Sequence, residues 1–225
     1  MKILKILFTL VLSALGTSAA LAQLGASSFP YGVASGDPHT NSVVLWTKFS
    51  PGGSPTVPYD IVWEVSTSRT NFSTPVLVGT NQAVSSNNFT VKVIAEGLNP
   101  GTEYFYRFSG YGATSSIGRT KTLPSGSVSQ VRLALFSCAN ITADSFYAYA
   151  KAARKGDFDA LVHVGDYIYE YGSGGYPAAE TLANTTGFEP NKECVTLEDY
   201  RTRYAQYHRQ AALQAARASA PLILS

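Results

Sequence analysis

The hydrophobic period of this chain changes near residue 125, and that change limits the folds open to it. Before it, apolar residues alternate with polar ones. "YDIVWEVSTS" puts Ile61, Trp63 and Val65 on one face, "NFTVKVIAEG" does so for Phe89, Val91 and Val93, and "TEYFYRFSG" for Tyr104, Tyr106 and Phe108. Short alternating runs separated by Gly, Pro, Asn and Ser clusters predict an all-β sandwich over residues 27–122. Leu98, Pro100 and Tyr104 in "GLNPGTEYFYRF" have the spacing of a tyrosine corner, in which the phenol bonds back to the preceding turn. The aromatic residues of this part are read as core and rim rather than as a ligand site.

Residues 123–130 are polar, carry Pro and Gly, and read as a linker. A second pattern follows over 131–225. "VRLALFS" (131–137) and "DALVHV" (159–164) are short apolar runs, and between them Phe146, Tyr149, Ala150 and Ala153 recur at helical spacing. Thr142 or Asp144 is placed to cap that helix over 143–155, and Gly156 to end it. A β-α-β unit implies parallel strands with a right-handed crossover. Residues 172–192 show no periodicity and read as an excursion loop. A helix follows over 196–218, with Thr196 and Asp199 as a capping pair and Leu197, Tyr200, Tyr204, Tyr207 and Ala211 as its buried stripe. Pro221 breaks it, and "LIL" reads as the start of another strand.

The first residues, "MKILKILFTLVLSALGTSAALAQ", have charged Lys2 and Lys5, an apolar stretch and a small-residue cleavage site, the pattern of a signal peptide over 1–22. The expectation is export to a secreted, periplasmic or cell-surface location, with no membrane span left after cleavage. The net charge of +2 gives no signal for nucleic acid, and a monomer is expected. In an oxidising compartment the default for the two cysteines, Cys138 and Cys194, is a disulfide, but the strand-end place of Cys138 argues against that default and for a metal ligand not paired with Cys194.

Parallel strands joined by a crossover helix align their carboxyl ends, and ligands of open α/β sheets bind at that edge. Strand 131–137 ends in "FSCAN" and strand 159–164 in "GDYIYE", which brings Cys138, Asp166 and Tyr169 to one edge. A thiolate, a phenolate and a carboxylate make sense as a shared metal site, the carboxylate being able to bridge two cations. The plain alternatives are turn chemistry for Asp166 and a packed thiol for Cys138, and spacing alone does not separate them. His163 reads as a core histidine with a hydrogen-bond partner, His208 as solvent-facing, and Asp37 as a turn residue. Asn71, Asn88, Asn140 and Asn184 begin glycosylation sequons, which matter only in a eukaryotic secretory pathway.

The segments "FPYGVASGDPHTNSVVLWTKFSP", "LNPGTEYFYRF", "FSCAN", "FDALVHVGDYIYEYG" and "TLEDYRTRYAQY" together resemble the alkaline phosphatase D family. The resemblance implies a fibronectin III or immunoglobulin-like sandwich followed by the first βαβ part of an α/β metallophosphoesterase domain. It implies an exported metal-dependent hydrolase of phosphate esters, with ferric iron and calcium as cofactors. Cys138 and Tyr169 would bind iron and Asp166 would bridge iron and calcium. The family pattern continues after "PLI" into an Asp-Asp-His segment with further ligands, which these residues lack. The expectation is therefore an incomplete site in an inactive fragment. The alternative is a sandwich that binds a surface, or a structural exported protein with a Cys138–Cys194 disulfide.

Overall fold

Alternation along the chain becomes paired sheet in the computed structural model, which describes residues 28–52, 56–142, 146–172, 175 and 187–225. The expected leader over 1–22 lies outside these residues. Strands β1 (Val33–Gly36), β2 (Ser42–Lys48), β3 (Tyr59–Ser66), β4 (Leu77–Ala83), β5 (Thr90–Glu96), β6 (Glu103–Gly110), β7 (Ala113–Thr114) and β8 (Gly118–Lys121) form two antiparallel sheets. One has the order β1-β2-β5; the other has β4-β3-β6-β7, with β8 also paired to β6. Val33, Val43, Leu45, Val91 and Val93 from the first sheet share one core with Ile61, Val65, Tyr104, Tyr106 and Phe108 from the second. These are the residues that alternation directs inward, and their removal from water is the main driving force for this part. The Tyr104 phenol accepts the Asn99 N–H at 2.9 Å, as the corner spacing predicts.

Beyond the polar stretch, β9 (Leu133–Phe136), α1 (Tyr147–Lys155) and β10 (Ala160–His163) form the expected β-α-β unit, with β9 and β10 parallel. α2 (Leu197–His208), α3 (Ala211–Arg217) and β11 (Leu222–Leu224) follow. β11 adds in parallel to the other side of β10. One face of this small sheet, through Ala134 and Leu161, packs with Tyr149, Leu213 and Ala216. On the other face Leu133, Leu135 and Ile223 are exposed. Gly36 is required where the two parts meet, because a Cβ there would lie 2.8 Å from the Leu222 carbonyl oxygen. Gln214 Nε2 donates to the Pro30 carbonyl at 2.8 Å, and Lys121 Nζ to Asp159 at 2.6 Å, across the same joint.

Three sequence expectations are corrected. The first helix begins at Tyr147 behind Phe146 and has no side-chain cap. Thr142 instead donates twice to Asn140 Oδ1, and Asp144 lies outside the described residues. The long second helix is two, divided at Arg209 and Gln210. Of its expected stripe Tyr207 is buried, but Leu197, Tyr200 and Tyr204 are 66%, 37% and 40% exposed, and Asp199, Arg203 and Gln206 are buried instead. The reason is that Arg203 and Gln206 face a hydrogen-bonding loop rather than an apolar layer. Both cysteines are free, Cys138 exposed and Cys194 buried, as the strand-end place of Cys138 predicts, so the disulfide alternative falls.

His208 is also not solvent-facing. Its ring packs against Trp46 at 5.6 Å, Tyr31 at 5.5 Å and Tyr204 at 5.6 Å, in the joint between the two parts. Burial, aided by the charge of Arg217, pushes its pKa well below the ordinary value. An unfolded histidine titrates near ~6.5, so below that pH the unfolded chain binds the proton first. The contribution of His208 is complete above ~6.5 and is lost as pH falls towards its folded value. The thermal midpoint is expected to drop between pH 7.5 and 5, and His208→Gln to flatten that slope. Parallel slopes for the two proteins in calorimetry would refute this assignment.

Candidate metal centre

Two loops leave the carboxyl ends of β9 and β10, and the backbone ties them together. The Cys138 N–H donates to the Gly165 carbonyl at 3.2 Å, and the Ala139 N–H to the Asp166 carbonyl at 2.9 Å. Both Cys138 (φ 54°) and Asp166 (φ 53°) adopt the left-handed region, which side chains rarely enter. Such strain persists where the surroundings over-determine it, and it clusters at functional sites.

Those conformations turn the side chains towards one another. Cys138 Sγ lies 3.4 Å from Asp166 Oδ2, and Tyr169 Oη donates to the same oxygen at 3.1 Å. The three residues singled out by strand-end reasoning therefore meet at one carboxylate oxygen. Cys138 and Asp166 are exposed and Tyr169 is half-buried, so the cluster opens to solvent. Burial, and then the adjacent Cys138 and Asp166, push the Tyr169 phenol strongly upward. Three acidic groups this close repel one another once ionised, and a cation relieves that repulsion. Sulfur, phenol and carboxylate donors suit iron, and the second carboxylate oxygen suits a hard cation such as calcium. The donor set thus fits the expected metals, although among the described residues no group of three His, Cys, Asp or Glu is placed to hold one. Tyrosine is the third donor here.

Behind the cluster, His163 is buried between Tyr149, stacked at 6.4 Å, and the edge of Tyr167 at 5.1 Å. It is a core residue, as expected, but neither ring nitrogen has a hydrogen-bond partner among the described residues. Burial lowers its pKa, with Asp166 opposing. The ring is thus held neutral, and it does not reach the donor cluster by any hydrogen bond.

Two residues near the site have a role that the sequence reading missed, Arg203 altogether and Tyr207 beyond its place on the buried stripe. Arg203 is fully buried, and its guanidinium donates to the carbonyls of Tyr169, Glu189 (2.9 Å) and Pro190 (3.0 Å). Tyr207 is also fully buried, and its Oη accepts the Ile141 N–H at 3.3 Å. Helical spacing puts both on one face, and that spacing carries no hint of what they hold.

Comparison with known proteins adds an independent line. Residues 16–124 match the PhoD-like phosphatase N-terminal domain, and residues 133–225 match the PhoD-like phosphatase domain. Alkaline phosphatase D of Bacillus subtilis (strain 168) is 39% identical over 208 residues, covering 88% of this chain and 35% of that protein. A solved structure of PhoD superposes with a TM-score of 0.82 at 40% identity, covering 88% of this chain and 38% of that one. The chain thus spans about a third of the length of the relatives it matches.

Proposed function

Because the chain belongs to the PhoD-like phosphatase family, we propose that it supplies one side of a metal centre for hydrolysing phosphate esters, monoesters or diesters. The observation that carries this reading is the convergence of Cys138 Sγ and Tyr169 Oη on Asp166 Oδ2, at 3.4 and 3.1 Å. Cys138 and Tyr169 would hold ferric iron, and Asp166 would join iron to calcium. When bound, the metals supply Lewis-acid polarisation of a phosphoryl oxygen and of an attacking water.

The protein's own residues set the conditions for that chemistry. The left-handed turns at Cys138 and Asp166 aim both donors outward from the sheet edge. Gly165, next to Asp166, leaves open space, since a Cβ there would meet nothing within 4 Å. Behind the donors, neutral His163 and the rings of Tyr149 and Tyr167 form an apolar backing. With one carboxylate among three donors, these residues bind metal but do not fix two cations by themselves. On this reading they are the first βαβ part of a metallophosphoesterase domain over 131–225. The two-sheet part over 27–122 is a sandwich of the fibronectin III or immunoglobulin kind, and 123–130 is the linker. Residues 1–22 act as an export signal, a reading supported by charged Lys2 and Lys5, the apolar stretch behind them and the small-residue cleavage site.

The test loads the full chain with ferric and calcium ions and adds inorganic phosphate. Phosphate is expected to bind the loaded chain, and to bind neither the metal-free chain nor Asp166→Ala. Hydrolysis of p-nitrophenyl phosphate and its bis-ester is expected to stay at the level of a Cys138→Ala, Asp166→Ala control. Phosphate that binds equally with and without metal would sink the proposed function, and turnover above the control would show that three donors suffice.

A further inference from the structure

We infer that Arg203 and Tyr207, one turn apart on α2, are positioning residues that hold the two donor-bearing loops at a fixed separation; the inference rests on the metal-centre reading above. Neither side chain makes a hydrogen bond to a donor atom. Each instead grips the backbone of one loop: Arg203 Nη1 donates to the Tyr169 carbonyl, and Tyr207 Oη accepts the Ile141 N–H. Residues at i and i+4 share one helix face, so a single rigid element sets both loops at once.

The helix that carries this pair is itself anchored. Thr196 and Asp199 form a reciprocal capping box, and Lys192 Nζ pairs with Asp199 at 2.7 Å. The Cys194 N–H donates to the Glu170 carbonyl at 2.8 Å, which fastens the base of α2 to the residue after Tyr169. The Arg203 guanidinium lies over the Phe188 ring at 4.4 Å, which fixes its plane. A metal site needs its donors held within about 0.5 Å of their working geometry, and outer partners of ligands commonly set affinity by about 10–100-fold. Two direct backbone hydrogen bonds join the loops at Cys138 and Ala139. The α2 pair adds a grip beyond them on each side.

The test uses the full chain with Tyr207→Phe, which keeps the ring and removes the acceptor, and with Arg203→Lys, which keeps the charge and removes the fork. Tyr200→Phe, exposed on the same helix, is the control. In the metal-free protein, amide exchange at Ile141 should quicken by about tenfold in Tyr207→Phe and stay unchanged in the control. Ferric affinity should fall by about 10–100-fold in both clamp variants, with a shifted phenolate-to-iron absorption. Wild-type exchange at Ile141 in Tyr207→Phe, or wild-type iron affinity and absorption in both variants, would overturn the clamp. A wild-type chain that takes up no iron would overturn the metal reading instead, and exchange at Ile141 would then decide the clamp alone.

Discussion

Replacing Arg203 with alanine is expected to destabilise the protein by at least about 3 kcal/mol. The guanidinium is fully buried and serves the carbonyls of Tyr169, Glu189 and Pro190. Alanine leaves all three without their donor, at roughly 1–3 kcal/mol for each group that water does not reach. It also empties the space over the Phe188 ring. Domains are stable by only about 5–15 kcal/mol, so this is a large share. For a chain of this size about 3 kcal/mol corresponds to a fall of roughly 6–12 °C in the thermal midpoint. Arg209→Ala is the comparison. Arg209 pairs with Glu189 at 2.5 Å, but both side chains are exposed, and such pairs contribute about 0–1 kcal/mol. Circular dichroism melts that place the two variants together would contradict the account of α2.

Asp166→Gly is expected to move stability and metal binding in opposite directions. Asp166 has φ 53°, where glycine sits without strain and a side chain does not. Relief of that strain, less the extra freedom of glycine in the unfolded chain, should stabilise the metal-free protein by roughly 0.5–1 kcal/mol. The lost contacts to Cys138 and Tyr169 offset little of this, because the carboxylate is exposed. Iron affinity should fall by at least about 100-fold, since the change removes the group on which both other donors converge and exceeds the usual effect of an outer partner. Cys138→Gly, at φ 54°, should behave in the same way. Opposed shifts mark a conformation held for function at a cost in stability. A glycine variant that is less stable than the parent would show that the left-handed turn carries no strain.

The strands were legible because one buried face imposes strict alternation, and Val91, Val93, Tyr104, Tyr106 and Phe108 all lie where that period puts them. The donor cluster was legible for a topological reason. Parallel strands joined by a helix must align their carboxyl ends, so the residues just past Phe136 and His163 had to meet. Beyond Tyr207, the buried side of α2 was not legible. Periodicity scores apolar residues, whereas Arg203 and Gln206 are buried because they satisfy loop carbonyls at Tyr169, Gly187, Glu189 and Pro190. His208 was misread because its cover, Trp46 and Tyr31, comes from the opposite part of the chain. No local pattern reports a joint between distant segments.

Whether Cys138, Asp166 and Tyr169 hold a metal together is decided by a ferric titration of the full chain followed by visible absorption. About one tightly held ferric ion per chain is expected, with a phenolate-to-iron absorption that Tyr169→Phe abolishes. Cys138→Ser and Asp166→Asn should each weaken that binding by about 100-fold or more. Iron held with the same affinity and absorption in all three variants, or no iron held by the parent chain, would contradict it.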